Sequence, residues 1–145
     1  MIVRSCAEFR STFPDDRVEN EEGTEILLFP GRNVAIAISE ILRRIGYDAD
    51  PPENAGEHGW DFEVRVKGYP DGARLWCTVT LLDNYVLVVD NTSWWDRFRK
   101  RYPAPYIEAL GALGRAMADD PRFSEVRWKD VPDRDDPGAS QPVDH

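Results

Sequence analysis

Apolar and polar residues alternate cleanly over residues 60–67. Trp60, Phe62, Val64 and Val66 fall on one side, and Asp61, Glu63, Arg65 and Lys67 on the other. A period of two marks a half-buried β-strand, because successive side chains leave a strand on opposite faces. The pattern resumes over 74–81, where Leu75, Cys77, Val79 and Leu81 oppose Arg74, Trp76, Thr78 and Thr80. Pro70-Asp71-Gly72 supplies the turn between these two strands. Asp83-Asn84 offers a two-residue hairpin turn, since both residues tolerate positive φ. Residues 85–90 are apolar on both faces and read as a central strand. Strands joined by turns this tight must run antiparallel.

The period changes to 3.6 over residues 32–45. Val34, Ile38, Ile41, Leu42 and Ile45 form one stripe, Ser39, Glu40 and Arg43 lie opposite, and Gly46 stands where a left-handed C-cap belongs. Ile36 breaks the stripe and is expected to be covered by another part of the chain, such as an N-terminal element near residues 3–9. A short apolar run at 26–29, closed by Pro30-Gly31, precedes this helix, and an extended piece at 47–50 follows it. A second helical region begins near Ser93 and breaks at Pro103 and Pro105. From Pro105 a helix runs to about Ala118 on a stripe of Tyr106, Ile107, Leu110, Leu113 and Met117. Residues 123–129 form a last short strand that rejoins the sheet through Val126 and Trp128. The expected fold is α+β in two layers: a mainly antiparallel sheet of four to five strands, with two amphipathic helices packed on one face. Residues 1–130 make one domain. From residue 131 the chain is rich in Pro, Asp and Gly and reads as a disordered acidic tail.

Charge changes this picture less than its total suggests. The net charge is −9, but residues 15–25 carry −5 of it and residues 130–145 carry −4. The body between them is about neutral, which argues against both a nucleic-acid mimic and a general nucleic-acid binder. No apolar run approaches the roughly 18 residues of a membrane span, and the N-terminus lacks the apolar core of a secretory signal. The expected setting is cytoplasmic. Fifteen Arg against three Lys suggests a GC-rich bacterial genome.

Candidate chemistry is sparse. Cys6 and Cys77 make neither a metal-binding spacing nor a disulfide framework, and Cys77 reads as a small buried hydrophobe. His145 belongs to the tail, so a nucleophile–base arrangement would have to use His58, in a loop entering a strand. Asp61 and Glu63 project the same way and could form an acid–base dyad, but they alternate with Arg65, Lys67 and Arg74 as a solvated face would. Asp48-Ala49-Asp50 lacks the glycine and closing Glu of a calcium loop. Pro30-Gly31-Arg32-Asn33 opens a helix whose free amides favour anions, yet one glycine is no phosphate loop; Gly31 makes the turn and Asn33 caps the helix. No cofactor is implied.

The most unusual stretch is Trp94, Trp95, Asp96, Arg97, Phe98, Arg99, Lys100, Arg101, with a local charge of +3. Read as a helix from Ser93 to Tyr102, it would gather Trp94, Trp95, Phe98 and Tyr102 on one side and spread Arg97, Arg99 and Lys100 over the rest. Aromatics interleaved with Arg anchor protein interfaces or stack on bases. They also dock on a sheet edge while the Arg stems reach water. The expected function is a non-enzymatic protein-binding module of inhibitor or immunity-like, chaperone-like or adaptor type, contacting a protein partner through this segment or the polar sheet face. A homodimer is compatible with it. The rivals are a small-molecule or nucleotide enzyme using the sheet-face carboxylates, and a single-stranded nucleic-acid binder.

Overall fold

The computed structural model of the chain describes residues 1–69, 74–91, 102–130 and 135–144. In chain order the elements are β1 (Ile2–Val3), β2 (Cys6–Ser11), β3 (Val18–Glu19), β4 (Ile26–Leu28), α1 (Arg32–Arg44), β5 (Asp48–Ala49) and β6 (Glu53–Asn54). After a 3-10 turn at Gly56–His58 come β7 (Trp60–Arg65), β8 (Leu75–Leu81), β9 (Tyr85–Asn91), α2 (Ala104–Asp119), β10 (Phe123–Lys129) and β11 (Val143–Asp144).

The α+β class and the antiparallel sheet are as expected, but four to five strands is an undercount. Seven strands form the main sheet in the order β10-β2-β9-β8-β7-β5, with β6 also pairing β7, and every pairing is antiparallel. β5 falls in the extended piece expected at 47–50 and β6 was not foreseen; at two residues each, both are too short to show a period. The N-terminal element resolves into β2, which sits between β9 and β10.

Cross-strand partners share a face, so the registers fix which side chains go inward. Trp60 pairs Val79, Phe62 pairs Cys77, and Val64 pairs Leu75. Val79 in turn pairs Leu87, and Cys77 pairs Val89. Ala7 pairs Leu87 on the far side, and Phe9 pairs Tyr85. These residues form one continuous buried core with Val34, Ile38, Ile41 and Leu42 of α1 and Tyr106, Leu110, Leu113 and Met117 of α2. The Tyr106 hydroxyl donates to the Val89 carbonyl at 2.7 Å. Each large apolar side chain so buried contributes about 1.5–3 kcal/mol.

Three local expectations are corrected. The β8–β9 link has three residues rather than two, because Leu81 pairs Tyr85 across it. A two-residue turn at Asp83-Asn84 would place the outward-facing Leu82 opposite the inward-facing Tyr85, which pairing parity forbids. Ser39, expected on the wet side of α1, is fully buried. Its hydroxyl donates to the Asp50 carbonyl at 2.8 Å and accepts from Arg43 at 2.9 Å, so burial leaves it satisfied. Residues 135–144, expected as part of a disordered tail, lie against the body instead. Ala139 and Trp128 exchange backbone hydrogen bonds, and β11 pairs β1. The segment needs few apolar side chains because backbone pairing holds it. The acidic run at residues 15–25 contains β3, which pairs β4 in a ribbon outside the main sheet. Ile36 is half-buried.

Candidate functional site

The outward side of the sheet gathers the charged residues of β7, with Arg74 just before β8, around Trp76. Register places Trp76 directly between Glu63 on β7 and Asp90 on β9, and places Asp61 opposite Thr78. Glu53 pairs Asp61, and Asp48 pairs Arg65, which brings two further acids onto this face from the short edge strands. Trp76 is 36% exposed, the least of the six exposed large apolar side chains among the described residues but the one aromatic of the six.

The arginines beside it are held in fixed pairs. The Arg65 guanidinium grips both carboxylates of the β5 end, donating to Asp48 at 2.7 and 3.1 Å and to Asp50 through two more nitrogen–oxygen contacts. Hydrogen bonding by Arg65 pulls both aspartates below the ordinary carboxylate range, and the two acids raise Arg65 in return. Arg74 donates to Glu63. Asp61 behaves oppositely: partial burial pushes its carboxyl up, and Glu53 and Glu63 push it further. A hydrogen bond from the Trp76 side chain acts against that rise. Asp61 thus carries its charge at a cost that its three neighbours set.

The other expected site residues are scattered. His58 is exposed at the end of the 3-10 turn, and its carbonyl accepts from the Thr80 hydroxyl at 2.6 Å. Cys6 and Cys77 are buried free thiols, raised by desolvation to about 11 and about 12, so neither is a ready nucleophile. Among the described residues no three His, Cys, Asp or Glu side chains gather as a metal set, and no helix is long and apolar enough to cross a membrane.

The anion position at the start of α1 is already taken. Gly31 adopts φ 113° at the helix N-cap, and no side chain of the cap residue bonds the helix. Instead, Asp16 accepts from the Gly31 and Asn33 amides, each at 2.8 Å. Asn33 is therefore a donor to the cap rather than the cap itself. Sequence reasoning missed Asp16 because it lies 15 residues before Gly31; its only signal was an acid within an acidic run.

Among the described residues, four of the open clefts on the surface bear on the site. The first, of ≈ 530 Å³, lies between β5, the end of β7 and the start of α2, with Tyr47, Asp48, Arg65, Lys67 and Glu108 on its walls. A second, ≈ 300 Å³, is lined by charged residues of β2 and β10. A third, ≈ 790 Å³, lies beside the ends of both helices, and a fourth, ≈ 640 Å³, between α2 and the C-terminal segment. None of the four is lined by His58, Asp61 or Glu63. The basic–aromatic residues Trp94, Trp95, Arg97, Phe98, Arg99, Lys100 and Arg101 lie outside the described residues. No protein-family model, no curated protein and no solved structure matches the chain.

Proposed function

We propose that the chain is a non-enzymatic module that binds another protein, as an inhibitor, chaperone-like protein or adaptor would, with the outward sheet face around Trp76 as its contact surface. In this reading both helices cover the opposite face of the sheet and leave this one open. The observation that carries the proposal is Trp76, a large exposed aromatic in the middle of three hydrogen-bonded strands and ringed by charged residues. Tryptophan and arginine dominate the energetics of protein interfaces, where an anchor surrounded by a polar rim is the usual arrangement. A sheet surface also presents such an anchor without the ordering cost that a loop would carry. The segment holding Trp94, Trp95, Arg97, Phe98, Arg99, Lys100 and Arg101 is a second contact on sequence grounds alone.

One observation favours an alternative. Asp61 has a raised carboxyl beside two further acids, the profile of a general acid. Against it, Asp61 and Glu63 line none of the four clefts, whereas small-molecule sites are concave and largely enclosed.

Affinity capture from a native lysate separates these readings. The wild-type chain should recover a specific protein that Trp76→Ala loses, with Trp95→Ala/Arg97→Glu reporting on the second contact. Recovery of the same proteins by wild type and all variants would overturn the proposal.

A further inference from the structure

We propose that the partner docks on the Trp76 face with an arginine-rich, net-basic segment; this rests on the protein-binding reading above. The registers bring Asp48, Asp50, Glu53, Asp61, Glu63 and Asp90 to one side of four neighbouring strands around Trp76, against Arg65, Lys67 and Arg74. The face therefore carries an excess of three negative charges, although the body of the chain as a whole is about neutral. Adjacent strands are about 4.8 Å apart, so charges on neighbouring strands lie within one Debye length, about 8 Å at physiological salt, and act together pair by pair.

The geometry narrows the partner's chemistry further. Arg65 is committed to Asp48 and Asp50, and Arg74 to Glu63, which ties the face's arginines to its own acids. An incoming acidic group would have to displace one of these pairs or rely on Lys67 alone. An incoming guanidinium would not: it can stack on the exposed Trp76 ring and reach Asp61 and Glu53 beside it. Asp61 also gains from such a partner, since burial and then Glu53 and Glu63 penalise its charge in the free protein. Lysine offers no planar face for stacking, so arginine is the preferred residue.

The test is fluorescence anisotropy with a labelled arginine-rich dodecapeptide, and with the same peptide carrying Glu at each Arg, titrated with the full-length chain at physiological salt. Three forms are compared: wild type, Asp61→Asn/Glu63→Gln, and Glu21→Gln/Glu22→Gln. Both variants remove two negative charges, the first from the face and the second from the exposed link between β3 and β4. Cooperative thermal transitions with midpoints well above the assay temperature establish that all three are folded. The arginine-rich peptide should bind wild type, lose about tenfold or more in affinity to the face variant and about twofold or less to the link variant, while the Glu peptide does not bind. Equal losses in the two variants would reduce the effect to overall charge and overturn the proposal, as would no binding of the arginine-rich peptide. If that happens while Trp76→Ala still abolishes capture of a native partner, the basic-partner inference fails and the protein-binding reading stands.

Discussion

Gly59 lies so close to the Val79 carbonyl that a Cβ at this position would come within 2.1 Å of the oxygen. Its φ of +95° is one that L side chains rarely adopt. The glycine lets the turn carrying His58 pass over β8 just before Trp60 enters the sheet. Gly59→Ala is therefore expected to cost at least about 2 kcal/mol, combining backbone strain with a clash that only the main chain can relieve. Urea denaturation checks this; a midpoint unchanged from wild type would show that the turn does not sit against Val79.

Gly114 sets two effects against each other. Alanine in a helix interior is favoured over glycine by about 1 kcal/mol. Here, however, a Cβ would meet the Pro142 ring at 2.3 and 2.7 Å, and the Gln141 side chain at 3.1 Å. Gly114→Ala should lift the C-terminal segment from α2 and speed hydrogen exchange at the Ala139 amide, which bonds the Trp128 carbonyl. Combining it with Pro142→Gly should remove the clash and let the helix gain appear as a net stabilisation relative to Pro142→Gly alone. An Ala139 amide that exchanges as slowly in Gly114→Ala as in wild type would contradict the packing.

The Arg65 clamp has a definite pH signature. Asp48 and Asp50 titrate lower in the folded chain than in the unfolded one, where carboxylates sit near about 3.9. The stabilisation is thus present above the unfolded value and is lost as pH falls through the lower folded values. Both carboxylates are exposed, so screening keeps the effect modest. Arg65→Gln should melt below wild type at neutral pH, and the gap should close in acid and narrow in about 1 M salt. A gap that persists to pH 2 would mean that Arg65 acts by packing instead.

Asp61 should show the opposite dependence. Its carboxyl is raised by burial and by Glu53 and Glu63, so ionisation above the folded value costs stability, a cost absent below the unfolded value. Asp61→Asn should accordingly melt higher than wild type at neutral pH and equally in acid, since the amide oxygen can still accept from the Trp76 indole. A lower midpoint at neutral pH would show that the carboxylate is a structural anchor rather than a strained surface charge.

What the sequence shows and hides follows from the length of each signal. The outward face was legible from alternation alone: the parity that buries Phe62 and Cys77 turns Asp61, Glu63, Arg65, Arg74 and Trp76 out together. The extended piece at 47–50 was legible, but its pairing as β5 and the whole of β6 were hidden because two residues cannot display a period, and with them went the Arg65 clamp and the contribution of Glu53. The Asp83-Asn84 turn misled because local turn propensity yields to register, and the register is set by Leu81 and Tyr85 facing the core. Ser39 looked like a surface residue by its type, yet the Asp50 carbonyl and Arg43 give it partners that no periodicity can reveal. The Asp16 cap escaped for the same reason, since its link to Gly31 is tertiary.

The importance of the Trp76 face is tested most directly by the affinity of the chain for its captured partner, measured by calorimetry with Trp76→Ala and, as a control, Leu27→Ala. Leu27 is 55% exposed on the separate β3–β4 ribbon, so it matches Trp76 as an exposed apolar residue without sharing its face. Truncating Trp76 should cost about 2 kcal/mol or more, roughly thirtyfold in Kd, while the Leu27 variant binds as wild type does. Equal affinities for wild type and Trp76→Ala would contradict a contact surface centred on this residue.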